Sequence, residues 1–517
     1  MAASLSRKFD PVAFHARFRP QATACIDLAT GETLTYRAFS DRATACAHIL
    51  VKRIGAAAPG ACVAILSRNS VFQTIISTAC ERAGAIFAPL NWRLTAPEIA
   101  DLLRDCKPAL VLAEPEFEAT VAEAMRLGDC LAPLATPADV AGRDAPAPQQ
   151  APKLSPAPLS APCILLYTSG TTGRAKGVII TRENAIYASL NFAAVASLDS
   201  RSVLLCDSPM FHTVGLCAIT RTALFEGACV LLSDRFIPPT TLQRLSDPAL
   251  GVTHYFVVPQ MVEALMNEPS VAQADFSRMT ALFSGGGPLS PALVKTCVDR
   301  GLLLVNGYGM SEIGSGIHMP LDADYMADNP EAVGFPAPWI EARITSDDGK
   351  QVADGDVGEI WLRGPSVSPG YWNQPEATAA TRSQGWFRTG DLARQQNDGA
   401  FVIVDRLKDM YISGGENVYP AEVEAVLRGV EGVEDAAVVG APDARWGEIG
   451  VAFIQLKTGG FPPAHVEAAI RRGCASRLAR YKQPAHIRFV EAIPRTGSGK
   501  ARKNLLRELF LKSAFSA

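Results

Sequence analysis

Residues 167–177 read Tyr-Thr-Ser-Gly-Thr-Thr-Gly-Arg-Ala-Lys-Gly, a run whose groups suit a polyphosphate. The glycines at 170, 173 and 177 let the backbone approach a polyanion closely. The hydroxyls of Thr168, Ser169, Thr171 and Thr172, with neighbouring N–H groups, can donate to its oxygens, and Lys176 adds a point charge. This is not a Walker A sequence. The residue five beyond Gly170 is Ala175, and a glycine rather than Ser or Thr follows the lysine.

Further motifs follow in order: Ser284-Gly285-Gly286-Gly287-Pro288-Leu289, Asn306-Gly307-Tyr308-Gly309-Met310-Ser311-Glu312 and Trp386-Phe387-Arg388-Thr389-Gly390-Asp391. After these come Asp405-Arg406-Leu407-Lys408-Asp409, the stretch from Ser413 to Pro420, and Pro494-Arg495-Thr496-Gly497-Ser498-Gly499-Lys500. Together with the first loop they resemble the signatures of the adenylate-forming superfamily, which includes acyl-CoA synthetases, peptide-synthetase adenylation domains and firefly-type luciferases. The motifs span residues 167–500, and the chain before them has the length and pattern of that family's first subdomain.

The resemblance implies two half-reactions: a carboxylic acid and MgATP give acyl-AMP and pyrophosphate, and a thiol then displaces AMP. It places adenine between the Tyr308 ring and the backbone of Gly286, Gly287 and Pro288, next to Gly309. Glu312 is a hard oxygen ligand suited to phosphate-bound Mg2+. Ser311 stands where the family has threonine and keeps the hydroxyl. Asp391, as an acceptor-only carboxylate, can take both ribose hydroxyls, and Arg406 matches an arginine on the same nucleotide. Lys500 is the expected catalytic group, since its ammonium can stabilise charge that develops during attack on the α-phosphate. Lys408 matches a hinge about which a C-terminal domain turns between the steps.

For coenzyme A, the resemblance points to Gly414 and Gly415 along the pantetheine route and to Trp446, Tyr481 and Lys482 beside the nucleotide. Packing alone would also account for the two aromatics. The acyl pocket is expected around Phe211, His212, Val258, Ser284, Gly285 and Gly314. Amino-acid activators of the family carry an aspartate near the position of Phe211-His212, and this chain has none. An apolar acid follows, either a medium or long fatty acid or an aryl acid of benzoate or hydroxycinnamate type. Arg221 keeps a diacid open. His212 could gate the pocket, contact the carboxylate or be structural. Rival functions are a luciferase-like oxygenase and an acyl-AMP ligase that loads a carrier protein.

These residues need a scaffold, and short apolar runs alternate with helical patterns to supply it. Val63–Leu66, Ala85–Ala88 and Ala109–Ala113 read as strands, with helices over 72–82 and 97–106 between them. Ala132–Pro162 is rich in Pro, Ala and Gln without a period, as in a surface linker. The fold class is α/β. A large N-terminal domain (1–404) should combine mixed and parallel sheets, helical crossovers and a β-rich subdomain. A hinge (405–410) and a small mobile α/β domain (411–517) follow.

The 517 residues carry 49 basic and 52 acidic side chains, a net charge of −3. This balance gives no reason to expect a nucleic-acid partner. No apolar run is long enough to span a bilayer, and the N-terminus has no secretory pattern, so a cytoplasmic enzyme without stable membrane insertion is expected. Its partners are the acid and CoA, its cofactors ATP, Mg2+ and coenzyme A, and a homodimer is left open. Twelve scattered cysteines with no CxxC pair suggest reduced, buried thiols.

Overall fold

Chain segments with few polar interruptions become the inner strands of two sheets. The computed structural model describes residues 9–55, 59–140, 154, 157–168, 175–287, 289–346, 348–413, 416–443, 445–460, 462–496 and 499–514. Two compact units emerge, Met1–Glu341 with Arg363–Gly385, and Ala342–Leu362 with Trp386–Ala517.

In the first unit, one sheet runs Leu134–Ala135, Leu110–Ala113, Cys62–Leu66, Ile86–Leu90, Pro162–Thr168 and Lys176–Thr181. Its neighbours are parallel except the last pair. The crossover helix Val71–Ala83 begins where the Ser70 side chain accepts the Gln73 N–H and ends at Gly84, which adopts a left-handed φ of 76°. Part of the expected linker is structured. Leu134–Ala135 pairs with Leu110–Ala113, because sheet hydrogen bonding does not require an apolar period.

The second sheet has nine strands: Phe335–Pro336, Gly314–His318, Leu304–Met310, Ala281–Gly285, His254–Val257, Val203–Cys206, Cys229–Leu232, Thr23–Asp27 and Thr33–Thr35. The stretch from Leu304–Met310 to Thr23–Asp27 is parallel, and both ends turn back antiparallel. Parallel strands buried on both faces explain the continuous apolar runs.

In the second unit, Gly358–Arg363, Trp386–Gln395 and Phe401–Arg406 are antiparallel neighbours. Beyond them, Val433–Asp443 and Gly447–Leu456 form a long antiparallel pair, with His486–Val490 parallel to the latter. Alternation sends Val438 into a core with Val423, Leu427 and Ile470, from the helices Pro420–Arg428 and Pro463–Arg477. Val439 meets Leu506 and Phe510 of the helix Lys503–Ala514 on the other face. These strands and the C-terminal elements make up most of the second unit.

All twelve cysteines are free, and ten are buried. Burial raises the pKa of thiols such as Cys25, Cys46 and Cys163. No helix among the described residues is long and apolar enough to cross a membrane.

A buried ion cluster ties the first unit together. Glu81 receives Arg182 at 3.0 Å and Arg221 at 2.8 Å. Burial opposes the Glu81 charge, yet Arg221 and Arg182 outweigh it and hold the carboxyl below its usual range. Replacing Glu81 with alanine leaves two guanidinium groups uncompensated, and we expect a loss of about 3 kcal/mol in chemical denaturation. An unchanged midpoint would show that the arginines find other partners.

Candidate active site

The phosphate-loop motif sits where the antiparallel pair Pro162–Thr168 and Lys176–Thr181 closes, with Thr168 opposite Lys176. The Thr168 hydroxyl donates to the Lys176 carbonyl at 3.4 Å. Ser169, Gly170, Thr171 and Thr172 lie outside the described residues, as do Pro288, Gly414 and Gly415.

The Lys176 ammonium is 4.8 Å from the ring centroid of Tyr371. The Tyr371 hydroxyl in turn donates to Glu312 Oε1 at 2.7 Å, across 59 positions of sequence. Burial first, and then the nearby Glu312 charge, push the phenol pKa upward, which keeps it a donor. The Glu312 carbonyl is fixed as well, accepting the Ser368 N–H at 2.7 Å. Tyr371 was not among the expected residues. It arrives because the segment from Gly370 runs beside Lys176–Thr181, with the Ile179 N–H on the Gly370 carbonyl and the Trp372 N–H on the Gly177 carbonyl. The aromatic pair after Gly370 was the available signal, but only tertiary pairing shows its target.

Strand register arranges the next group. Gly285 lies opposite Gly307, and Gly307 opposite His318 on its other side. A Cβ on Gly285 would be 2.8 Å from the Gly307 carbonyl oxygen and 3.7 Å from the Phe256 ring. One on Gly314 would be 2.9 Å from Ala188 of the helix Arg182–Ala196, and one on Gly309 would strike the Gly314 carbonyl. Side chains are therefore excluded where these backbones approach. Gly286 has φ +85°, near Val258, and Gly287 faces Pro259. Tyr308 is buried on the strand that ends just before Ser311.

The expected acyl-pocket residues do not all share a face. Gly285 is turned toward Phe256, whereas strand alternation puts Ser284 on the opposite face, in register with Val257 and Asn306. Phe211 packs edge-on to Trp92 at 6.3 Å and beside the His212 ring at 4.4 Å. His212 precedes a wide π-type helix, Val214–Arg221, in which a Cβ on Gly215 would strike the carbonyls of Ser208 and Pro209. Arg221, the candidate for a second carboxylate, is committed to Glu81.

In the second unit, Asp391 and Arg406 face each other across an antiparallel register, with Arg406 Nε 3.3 Å from Asp391 Oδ1. Glu359 shapes the preceding turn: its carboxylate accepts the Gly390 N–H at 3.0 Å and the Trp361 indole at 2.9 Å. Lys408 lies 3.9 Å from Asp409, and burial lowers its pKa. Lys500 is exposed on a turn closed by the Thr496 N–H on its carbonyl at 2.7 Å and by a bridge from Arg495 to Ala501. The Trp446 side chain is 39% exposed under the Arg445 guanidinium, and the Trp446 backbone N–H donates to Asp443. Lys482, beside Tyr481, is held by both carboxylate oxygens of Glu422 at 2.8 Å.

Residues 12–372 match the model of the AMP-binding enzyme family, and residues 422–500 match that of the AMP-binding enzyme C-terminal domain. The chain belongs to the AMP-binding enzyme family. It is 39% identical to a feruloyl-CoA synthase from Amycolatopsis sp over 96% of this chain and 97% of that one. The ATP-bound MatB structure from Rhodopseudomonas palustris superposes with TM-score 0.85 at 30% identity, covering 96% and 99% of the two chains. The o-succinylbenzoate CoA synthetase of Bacillus subtilis, solved with ATP and magnesium ion, gives 0.84 at 27%, covering 96% and 98%. This AMP-binding enzyme is an AMP-forming acid–CoA ligase that uses ATP, Mg2+ and CoA.

No group of three or more His, Cys, Asp or Glu among the described residues could hold a metal ion. A single carboxylate, Glu312, which shares Tyr371 with Lys176, suits Mg2+, an ion that keeps waters and draws its other ligands from the nucleotide. Removing the Tyr371 hydroxyl releases Glu312 Oε1. Tyr371→Phe should therefore raise the Mg2+ concentration needed for half-maximal ATP–pyrophosphate exchange several-fold, with the folded state retained by circular dichroism. An unchanged Mg2+ requirement would make the contact structural only.

Proposed function

We propose that the acid is an aryl carboxylic acid. The observation that carries this is the side-chain-free backbone at Gly285, with the Phe256 ring at its edge. A flat strip of this kind, bounded by an aromatic ring, suits a planar ring in offset or edge contact. The feruloyl-CoA synthase relative supports the same class. An acid panel with ATP and CoA, read by mass spectrometry of the thioester, tests it. Benzoates and cinnamates should be turned over ahead of C8–C16 fatty acids, and the opposite order would end the aryl assignment.

In the first half-reaction an oxygen of the substrate carboxylate bonds to the α-phosphorus and pyrophosphate leaves. Thr168 and Lys176, with Ser169, Gly170, Thr171 and Thr172, hold the phosphate oxygens. Tyr308 and the backbone of Gly286 and Gly287 hold adenine, and Asp391 and Arg406 hold the ribose. Glu312 would hold Mg2+, which would neutralise charge on the phosphates. Lys500 stabilises the charge growing on the phosphate oxygens. In the second, the CoA sulfur attacks the acyl carbonyl carbon, AMP departs and the thiol proton passes to solvent. Trp446 and Tyr481 offer faces for the CoA base. The domains expected at 1–404 and 411–517 turn at 405–410 between the steps, and Lys408 is the hinge residue.

Lys500→Ala should slow adenylation by roughly 10²-fold or more while leaving thioester formation from supplied acyl-AMP intact. Equal damage to both half-reactions would remove Lys500 from the role. Lys408→Pro fixes φ and should disable one half-reaction in single-turnover assays. Survival of both would rule out a turn at that residue.

A further inference from the structure

Two histidines flank the Phe283 ring, and they differ in one respect. His254 stacks on Phe283 at 6.4 Å, and both of its nitrogens are engaged, Nε2 with the Ala196 carbonyl at 2.9 Å and Nδ1 with the Thr253 hydroxyl at 2.8 Å. It is a satisfied core histidine. His318 meets the same phenyl group edge-on at 6.3 Å and is only 4% exposed, yet neither of its ring nitrogens has a hydrogen-bond partner among the described residues. A buried, unpaired polar ring in an aromatic setting is disfavoured unless something completes it.

Its position says what that could be. Paired residues on neighbouring strands share a face, so Gly285, Gly307 and His318 form one row across the sheet. The imidazole lies over Gly307, where a Cβ would be 2.4 Å from Nδ1. Phe192, on the helix that Gly314 also approaches, is 6.0 Å from His318 and 5.4 Å from Phe256. The row thus runs from the bare backbone beside Phe256 to the one unsatisfied polar group of this aromatic cluster among the described residues.

We infer that His318 is a specificity residue that hydrogen-bonds a polar ring substituent of the acid, a phenolic hydroxyl or a ring N–H. The inference rests on the aryl assignment. Burial lowers the His318 pKa to about 4, so the ring is neutral at physiological pH. A neutral imidazole carries one donor and one acceptor, which matches a hydroxyl able to play either part. Sites built to hydrogen-bond a substrate hydroxyl discriminate against the analogue lacking it, because the protein group is then left unpaired.

The test compares cinnamate with its 2-, 3- and 4-hydroxy derivatives by kcat/KM for thioester formation. Wild-type protein should favour one hydroxy isomer over cinnamate by about 10-fold or more. His318→Phe, which keeps a flat ring, should bring that ratio near one and lose no discrimination among unsubstituted acids. If wild-type enzyme treats all four acids alike, the inference fails whatever the variant does, and the aryl assignment stands. A ratio preserved in folded His318→Phe also overturns it. If none of the four is activated while a fatty acid is, the aryl assignment falls, and this inference with it. Should the phenylalanine variant not fold, His318→Gln supplies the same comparison with a hydrogen-bonding group retained. It should keep part of the preference, and a ratio unchanged from wild type would place the selectivity elsewhere.

Discussion

Backbone touching backbone, with no side chain between, is the constraint from which the larger unit's chemistry follows. At Gly285 a single Cβ would press on the Gly307 carbonyl, and at Gly309 it would strike Gly314. Glycine weakens a strand interior, since it brings more chain entropy to lose and no side chain to pack. The sheet offsets that cost with its parallel core, where Leu282, Leu304, Tyr255 and Val257 are fully buried on the opposite face. One face stabilises through this core, while the other carries the buried rings of Phe192, Phe256, Phe283 and His318 against the bare glycines. Alternation makes this division possible within a single strand.

A second arrangement brings distant parts of the chain together through one phenol. Tyr371 offers its ring face to Lys176 and its hydroxyl to Glu312, so a cation and an anion are both positioned by the same side chain. A cation over a ring and a charge-assisted hydrogen bond are different interactions, and satisfying both fixes the ring in position and in rotation. In the other unit Glu359 has a comparable part, since its carboxylate holds the Gly390 N–H, the Trp361 indole and Arg388 around the turn that presents Asp391.

Elements with a strong local cause could be read from the chain. The helix Pro420–Arg428 follows from proline at its first position, and the strands near 63, 86 and 110 follow from unbroken apolar runs. The strand Val433–Asp443 extends well beyond its apolar centre, because its long antiparallel partner supplies hydrogen bonds that polar ends accept as readily. The wide helix Val214–Arg221 has no distinct sequence signal, since a π-type turn changes the hydrogen-bond span and leaves composition alone. At the site, the glycine motifs and Asp391 were legible through their resemblance to the signatures of the adenylate-forming superfamily. Tyr371 and His318 were not: one depends on a segment docking far along the chain, the other on the lack of a partner among the described residues, which only packing reveals. Ser284 was legible as a motif residue, but the face it occupies depends on register.

The cysteines bear on the second half-reaction from an unexpected side. A ligase that hands an acyl group to a thiol works in constant contact with a strong nucleophile and with that nucleophile's disulfide. Ten of the twelve sulfurs are buried, and burial suppresses the thiolate through which exchange proceeds. Those ten thiols are therefore poor targets for the cosubstrate. Neither acyl transfer to a stray cysteine nor a mixed disulfide with oxidised CoA has an easy point of attack there, and the activated acyl group is kept for the incoming thiol.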